Sequence, residues 1–123
     1  ASIPMGTVGF SHNFPTLAVL VGDLGAYFDE RDRHVIYIDG SLSAMTFMFA
    51  LQTEGVASCS INWPDLKEKE VALREELDLE SNERVIMLLS FGYARDEGGV
   101  PASVKKPLPQ LREFNPVKTS PST

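Results

Sequence analysis

The sequence predicts a layered sandwich of helices and strands, of the α/β or α+β class. Three observations carry this. Two short, continuous apolar runs, at 16–21 and 85–89, have the length and composition of strands covered on both faces. Between them the longest apolar segment, 34–54, repeats its large side chains at helical spacing. A second helical segment, 66–77, is charged on all sides but one. Buried strands alternating with helices stack as layers around one core.

Residues 1–14 are glycine-rich and aromatic without periodicity, and are expected to be irregular. The first strand, Thr16-Leu17-Ala18-Val19-Leu20-Val21, closes at Gly22-Asp23. The connection at 23–33 clusters Asp29, Glu30, Arg31, Asp32 and Arg33, as a solvated loop does. In the 34–54 helix, Ile38, Leu42, Met45 and Phe49 form one stripe and Ala44, Phe47 and Leu51 another. Only Asp39, Ser43 and Thr46 make a polar line. A helix apolar nearly all round is expected to be a buried central helix, and one chain of this size has few elements to bury it. A second copy of the chain is therefore expected to supply the missing cover, as a homodimer.

Gly55 follows the helix where a left-handed cap belongs. The crossing segment Gly55-Val56-Ala57-Ser58-Cys59-Ser60-Ile61-Asn62-Trp63-Pro64-Asp65 carries little side-chain bulk before Ile61. Small residues there allow a strand packed tightly under a helix, or close backbone approach to a flat polar ligand. Asp65 is the expected N-cap of the 66–77 helix, in which Glu70 and Arg74 are spaced as an ion pair. Glu80-Ser81-Asn82 turns the chain into the second strand, which runs on to Gly92. From 93 to 123 most of the eight prolines accumulate without periodicity, with room for one helical turn at 108–114. This is expected to be an extended tail on a single domain spanning 1–123.

A 123-residue chain with 43% hydrophobic and 23% charged residues is ordinary for a globular domain. The net charge of −6 opposes nucleic-acid binding, which needs a basic footprint. No run of about 18 uninterrupted apolar residues predicts a membrane span, and 1–5 do not resemble a signal peptide. Cytoplasmic residence is the expectation. Cys59 is the single cysteine, which excludes an internal disulfide and suits a buried structural thiol.

His12 and His34 are far apart and make no metal-ligand pattern. No phosphate loop and no Gly-x-Ser-x-Gly elbow occurs. The charge turns basic at the end: beyond Gly98, Lys105, Lys106, Arg112 and Lys118 face Glu113 alone. Within Ser103-Val104-Lys105-Lys106-Pro107-Leu108, an extended chain turns Ser103 and Lys105 to one side. The pair suits a phosphate, or a solvated loop.

The order of these pieces carries a resemblance. A strand, a buried helix entered through Ile38-Asp39-Gly40, and then Glu54-Gly55-Val56-Ala57-Ser58-Cys59-Ser60-Ile61-Asn62-Trp63 precede Leu77-Asp78-Leu79-Glu80-Ser81-Asn82-Glu83-Arg84-Val85-Ile86. Phe91-Gly92-Tyr93 and Val100-Pro101-Ala102-Ser103-Val104-Lys105-Lys106-Pro107-Leu108 follow. Over about 17–111 this resembles the C-terminal part of the nitroreductase family of FMN-dependent oxidoreductases, which includes iodotyrosine deiodinase. The resemblance implies an α+β fold with a mostly antiparallel sheet, and an intertwined homodimer with FMN between the subunits. By position, Ser60, Ile61, Asn62 and Trp63 would lie along the flavin ring and offer it backbone groups. Ser103 and Lys105 would hold the phosphate. Hydride would pass from NADH or NADPH through the flavin to a nitroaromatic, quinone or related small-molecule acceptor.

Two departures qualify this. The arginine-rich segment and the Pro-Ser-x-x-Asn-type segment of the family's N-terminal half have no counterpart here, and lysine replaces the usual arginine at Lys105, losing bidentate geometry. The chain is thus expected to be a fragment or a shortened relative. Flavin is expected to bind weakly or not at all to these residues by themselves. The alternative is a non-catalytic dimerisation or regulatory module on the same scaffold.

Overall fold

A computed structural model describes residues 11–100 and 102–114. The expectations for 1–10, for Pro101 and for the chain beyond Phe114 lie outside the described residues. A short 3-10 turn, Ser11–Asn13, leads into strand β1, Thr16–Asp23. Helix α1, Val35–Thr53, then crosses to strand β2, Ala57–Asn62. Helix α2, Lys67–Leu77, returns the chain to strand β3, Glu83–Gly92, and a single turn, α3, covers Leu108–Leu111.

The three strands are ordered β1-β3-β2, and both outer strands run antiparallel to β3. β1 and β2 are therefore parallel to each other, joined over α1, with β3 inserted between them as in a split βαβ unit. This is the α+β architecture with an antiparallel sheet. β1 pairs from Thr16↔Phe91 to Asp23↔Glu83 with a register shift between Leu20 and Val21, and β2 from Ala57↔Gly92 to Asn62↔Met87.

Adjacent residues Leu88 and Leu89 are both buried, so β3 is covered on both faces. On one face Ile61, Val85 and Leu88 form a core against Val19, Trp63, Leu73 and Leu79, the last two brought by α2 and the turn after it. On the other face α1 lies across all three strands. Ile36 and Ala44 are its buried residues, and Phe47 meets Phe91 edge to face at 5.6 Å between ring centres.

Two helix ends show how local chemistry sets the boundaries. Gly55 takes the left-handed conformation, φ 71°, and Val56 N–H reaches back to Leu51 C=O at 2.9 Å, closing α1 as its sequence position predicts. Asp78 does the same for α2 at φ 54°. Asp65, in contrast, does not cap α2: Leu66 occupies that position and makes no side-chain cap bond. The 23–33 connection folds into two 3-10 turns, Leu24–Ala26 and Glu30–Asp32, each opened by an aspartate side chain.

The expected burial of the central helix is not met within one chain. A three-stranded sheet covers one stripe of α1. It leaves Tyr37, Ile38, Leu42, Met45 and Phe49 in solvent, with Leu42 64% and Phe49 61% exposed. Among the described residues, 30–53 is also one segment long and apolar enough, by length and composition, to cross a membrane. The count of uninterrupted apolar residues misses it because Asp39 and the small polar residues interrupt the run.

Candidate functional site

β2 is an edge strand, so alternate backbone N–H and C=O groups between Ala57 and Asn62 point away from β3 and have no strand partner among the described residues. Pairing fixes what each side chain does. Ile61 lies opposite Leu88 and is 6% exposed, inside the α2-side core. Ser60 and Asn62 lie opposite Leu89 and Met87 and are exposed. Alternation turns their side chains to the opposite face, the one that carries α1.

Trp63 follows the strand and packs against the Ile61–Val85–Leu88 core, while its Nε1–H donates to Glu70 Oε2 at 2.9 Å. Trp63 thus ties the end of β2 to the first turns of α2. With Ile61 and Trp63 committed to packing, whatever these two offer a ligand comes from their backbone. Glu70 was not visible as Trp63's partner from sequence, because the bond spans a proline and a helix start. Nor do Glu70 and Arg74 form the helical ion pair that their spacing suggests. Arg74 Nη2 instead donates to the carbonyls of Glu80, Ser81 and Glu83 at 3.4, 3.1 and 3.3 Å, fastening the turn before β3. Glu70 Oε1 and Arg74 Nε are left buried without partners among the described residues.

Ser103 and Lys105 are exposed, and Lys105 Nζ donates to Ser103 Oγ at 2.7 Å. The two share one side of the extended chain, and a free ammonium N–H remains for an anion. No hydrogen bond or ion pair among the described residues joins this pair to the Ser60–Trp63 stretch. Cys59, expected to be a buried thiol, is exposed. It lies opposite Ser90 near the start of the edge strand.

Sequence reading also missed a polar clasp beside the start of α1. Tyr27 donates to Asp39 Oδ2 at 2.8 Å. That hydrogen bond, with smaller contributions from desolvation and the nearby negative charge, raises the Tyr27 pKa above its ordinary value. No group of three metal-ligating side chains occurs among the described residues.

The sequence model of the Nitroreductase family matches residues 4–93, most of the chain. Among solved structures, an FMN-dependent nitroreductase from Clostridium difficile R20291 is 23% identical with a TM-score of 0.67, over 85% of this chain and 60% of its own. A nitroreductase family protein from Clostridium difficile 630 is 22% identical with a TM-score of 0.68, over 86% of this chain and 62% of its own. The nitroreductase family protein from Streptococcus pneumoniae TIGR4 is 23% identical with a TM-score of 0.59, over 73% and 42%. At these identities the likeness is one of fold, and the chain spans between 42% and 62% of the length of these three proteins. No curated protein matches the chain.

Proposed function

This chain belongs to the nitroreductase family, and from that premise we propose that it contributes one wall of an FMN site in a homodimeric oxidoreductase. The observation that carries the reading is the edge strand. Along it, alternate backbone N–H and C=O groups have no strand partner among the described residues, and the strand is held by Ile61 in the core and by the Trp63–Glu70 bond. A flavin's pyrimidine edge alternates donors and acceptors, and such a row suits it. Ser103 and Lys105 suit the phosphate end, as a hydroxyl and a single positive charge on one side of an extended chain. The residues present thus fit the two polar ends of FMN.

Bound FMN would supply the redox chemistry, taking a hydride from NADH or NADPH and passing electrons to a nitroaromatic, quinone or related small acceptor. The chain's own part is orientation and exclusion of water. Backbone groups of Ser60–Trp63 align the ring, Lys105 holds the phosphate, and the exposed apolar face of α1 seats a second copy that closes the site. The second reading, a non-catalytic dimerisation module, draws on the same face, because α1 needs cover whether or not flavin binds.

Titration of the purified chain with FMN, followed by flavin fluorescence, tests the reading. Weak but saturable binding is the outcome that supports it, since these residues supply only one wall of the site. Lys105→Ala should weaken it about ten- to a hundredfold at low salt, the worth of one charge-assisted hydrogen bond. Lys106→Ala should do much less, because alternation turns it away. Equal effects would mean a diffuse basic patch. A dimer that binds no FMN would support the non-catalytic module.

A further inference from the structure

β2 ends at Asn62, opposite Met87, whereas β3 already begins at Glu83. On that side the first residues of β3 have no strand partner among the described residues. A pocket of about 330 Å3 lies there, lined by Val85 and Ile86. Trp63 and Asp65 border it where the chain leaves β2, Glu70 borders it from α2, and Tyr37 from α1. Arg84 lines it as well, but its Nη1 is committed to the carbonyls of Ser81 and Glu83, at 2.8 and 2.7 Å.

We infer that this pocket binds a small organic cation with N–H donors, an amidinium or guanidinium group on an apolar body. Three features point to it. The first is Glu70. Its Oε2 accepts from Trp63, but its Oε1 is closed to solvent and has no partner among the described residues. A buried carboxylate oxygen without a donor is costly. The last torsion of a glutamate is soft, so a small turn of the carboxylate offers Oε1 to a donor in the pocket. The second is charge. Two carboxylates, Asp65 and Glu70, border the pocket against one guanidinium that is turned to the backbone. One added cation balances them, and a planar donor group matches a carboxylate. The third is the pair of rings. Trp63 and Tyr37 present aromatic surface, which attracts a cation and stacks on a flat guest. The space suffices, since a cavity of about 150 Å3 already holds a benzene ring. The inference does not rest on flavin binding, because it uses the Trp63 ring and the Glu70 carboxylate rather than the backbone of β2.

Trp63 makes the site testable. It is the single tryptophan, so its emission reports on this place alone. The experiment titrates the full chain with benzamidine at constant ionic strength and follows tryptophan fluorescence. A saturable change is expected. Two further probes of similar size divide the chemistry. Benzamide keeps N–H donors without the charge, and benzyltrimethylammonium keeps the charge without an N–H. Each should need about tenfold more, or beyond, to reach half-saturation, the worth of one charge-assisted hydrogen bond. Glu70→Gln, which keeps an acceptor for Trp63, should weaken benzamidine by a similar factor. Far-ultraviolet circular dichroism establishes that this variant is folded; if it is not, the three probes on the parent chain decide. A change that only grows linearly with benzamidine is collisional quenching and would overturn the inference. So would a benzyltrimethylammonium or benzamide affinity equal to that of benzamidine, or benzamidine binding unchanged in folded Glu70→Gln.

Discussion

Tyr27 shows how a single contact sets a pH dependence. Its hydroxyl donates to Asp39, the one charged residue within α1, and the bond raises the tyrosine's pKa above 10.0. A group whose folded pKa is raised contributes stability that is complete below its unfolded value and lost as pH rises through the folded value. Ionisation of Tyr27 should therefore destabilise the fold only in alkaline solution. Following phenolate absorbance, one tyrosine should titrate late, and Tyr27→Phe should remove that late titration together with its contribution to alkaline unfolding. Gly40 gives a second test at this scale. A Cβ there would lie 2.8 Å from Ile86 Cγ2, and Ile86 is buried. Alanine favours helix by about 1 kcal/mol over glycine, yet overpacking costs about 1–3 kcal/mol. Gly40→Ala should lower the urea midpoint, whereas propensity alone would raise it. Gly55→Ala meets no clash and should cost only about 1 kcal/mol, for the left-handed backbone.

Between elements, the decisive contact is the one that fastens α2 to the end of β2. Trp63 contributes a ring to the core and an N–H to Glu70, whose other oxygen is buried and unpaired. Trp63→Phe keeps most of the packing and removes the donor. It should destabilise by about 1–3 kcal/mol in urea unfolding, because Glu70 then has no partner for either oxygen. Glu70→Gln preserves an acceptor and sheds the charge, so it should cost less. If the Ser60–Asn62 backbone aligns a flavin, Trp63→Phe should also weaken FMN binding while leaving Lys105 unaffected. The tail behaves differently. α3 is a single turn, and the exposed Ser103–Lys105 pair stands on local geometry alone, so substitutions there should leave stability within about 0.5 kcal/mol.

For the molecule as a whole, the outer face of α1 is the largest unresolved demand. Leu42 and Phe49 are more than half exposed on a helix with one charged side chain. Apolar area of this kind marks an interface. We expect a dimer by light scattering at micromolar concentration. Leu42→Glu should dissociate it without unfolding the monomer, since that side chain is mostly exposed in its own chain. A monomer that floats with lipid vesicles would point the same face at a membrane instead.

Period and punctuation in the sequence were enough for the elements and for the end of α1 at Gly55, though not for the start of α2. Two apolar runs of strand length, an apolar helix closed by Gly55 and a one-sided charged helix are local facts, set by side-chain spacing and backbone sterics over a few residues. The order of those pieces also carried the family. What lay beyond reach was everything that depends on which residue of one strand faces which residue of another. The pairing of β2 with β3 sent Ile61 into the core, left Cys59 in the open beside Ser90, and turned Ser60 and Asn62 to the other face. The same folding took Glu70 from Arg74 to Trp63, and laid α1 on a sheet too narrow to bury it. Burial and partnership are properties of contacts made across tens of residues of chain, and a strand's own sequence specifies that it alternates but not what lies above each face.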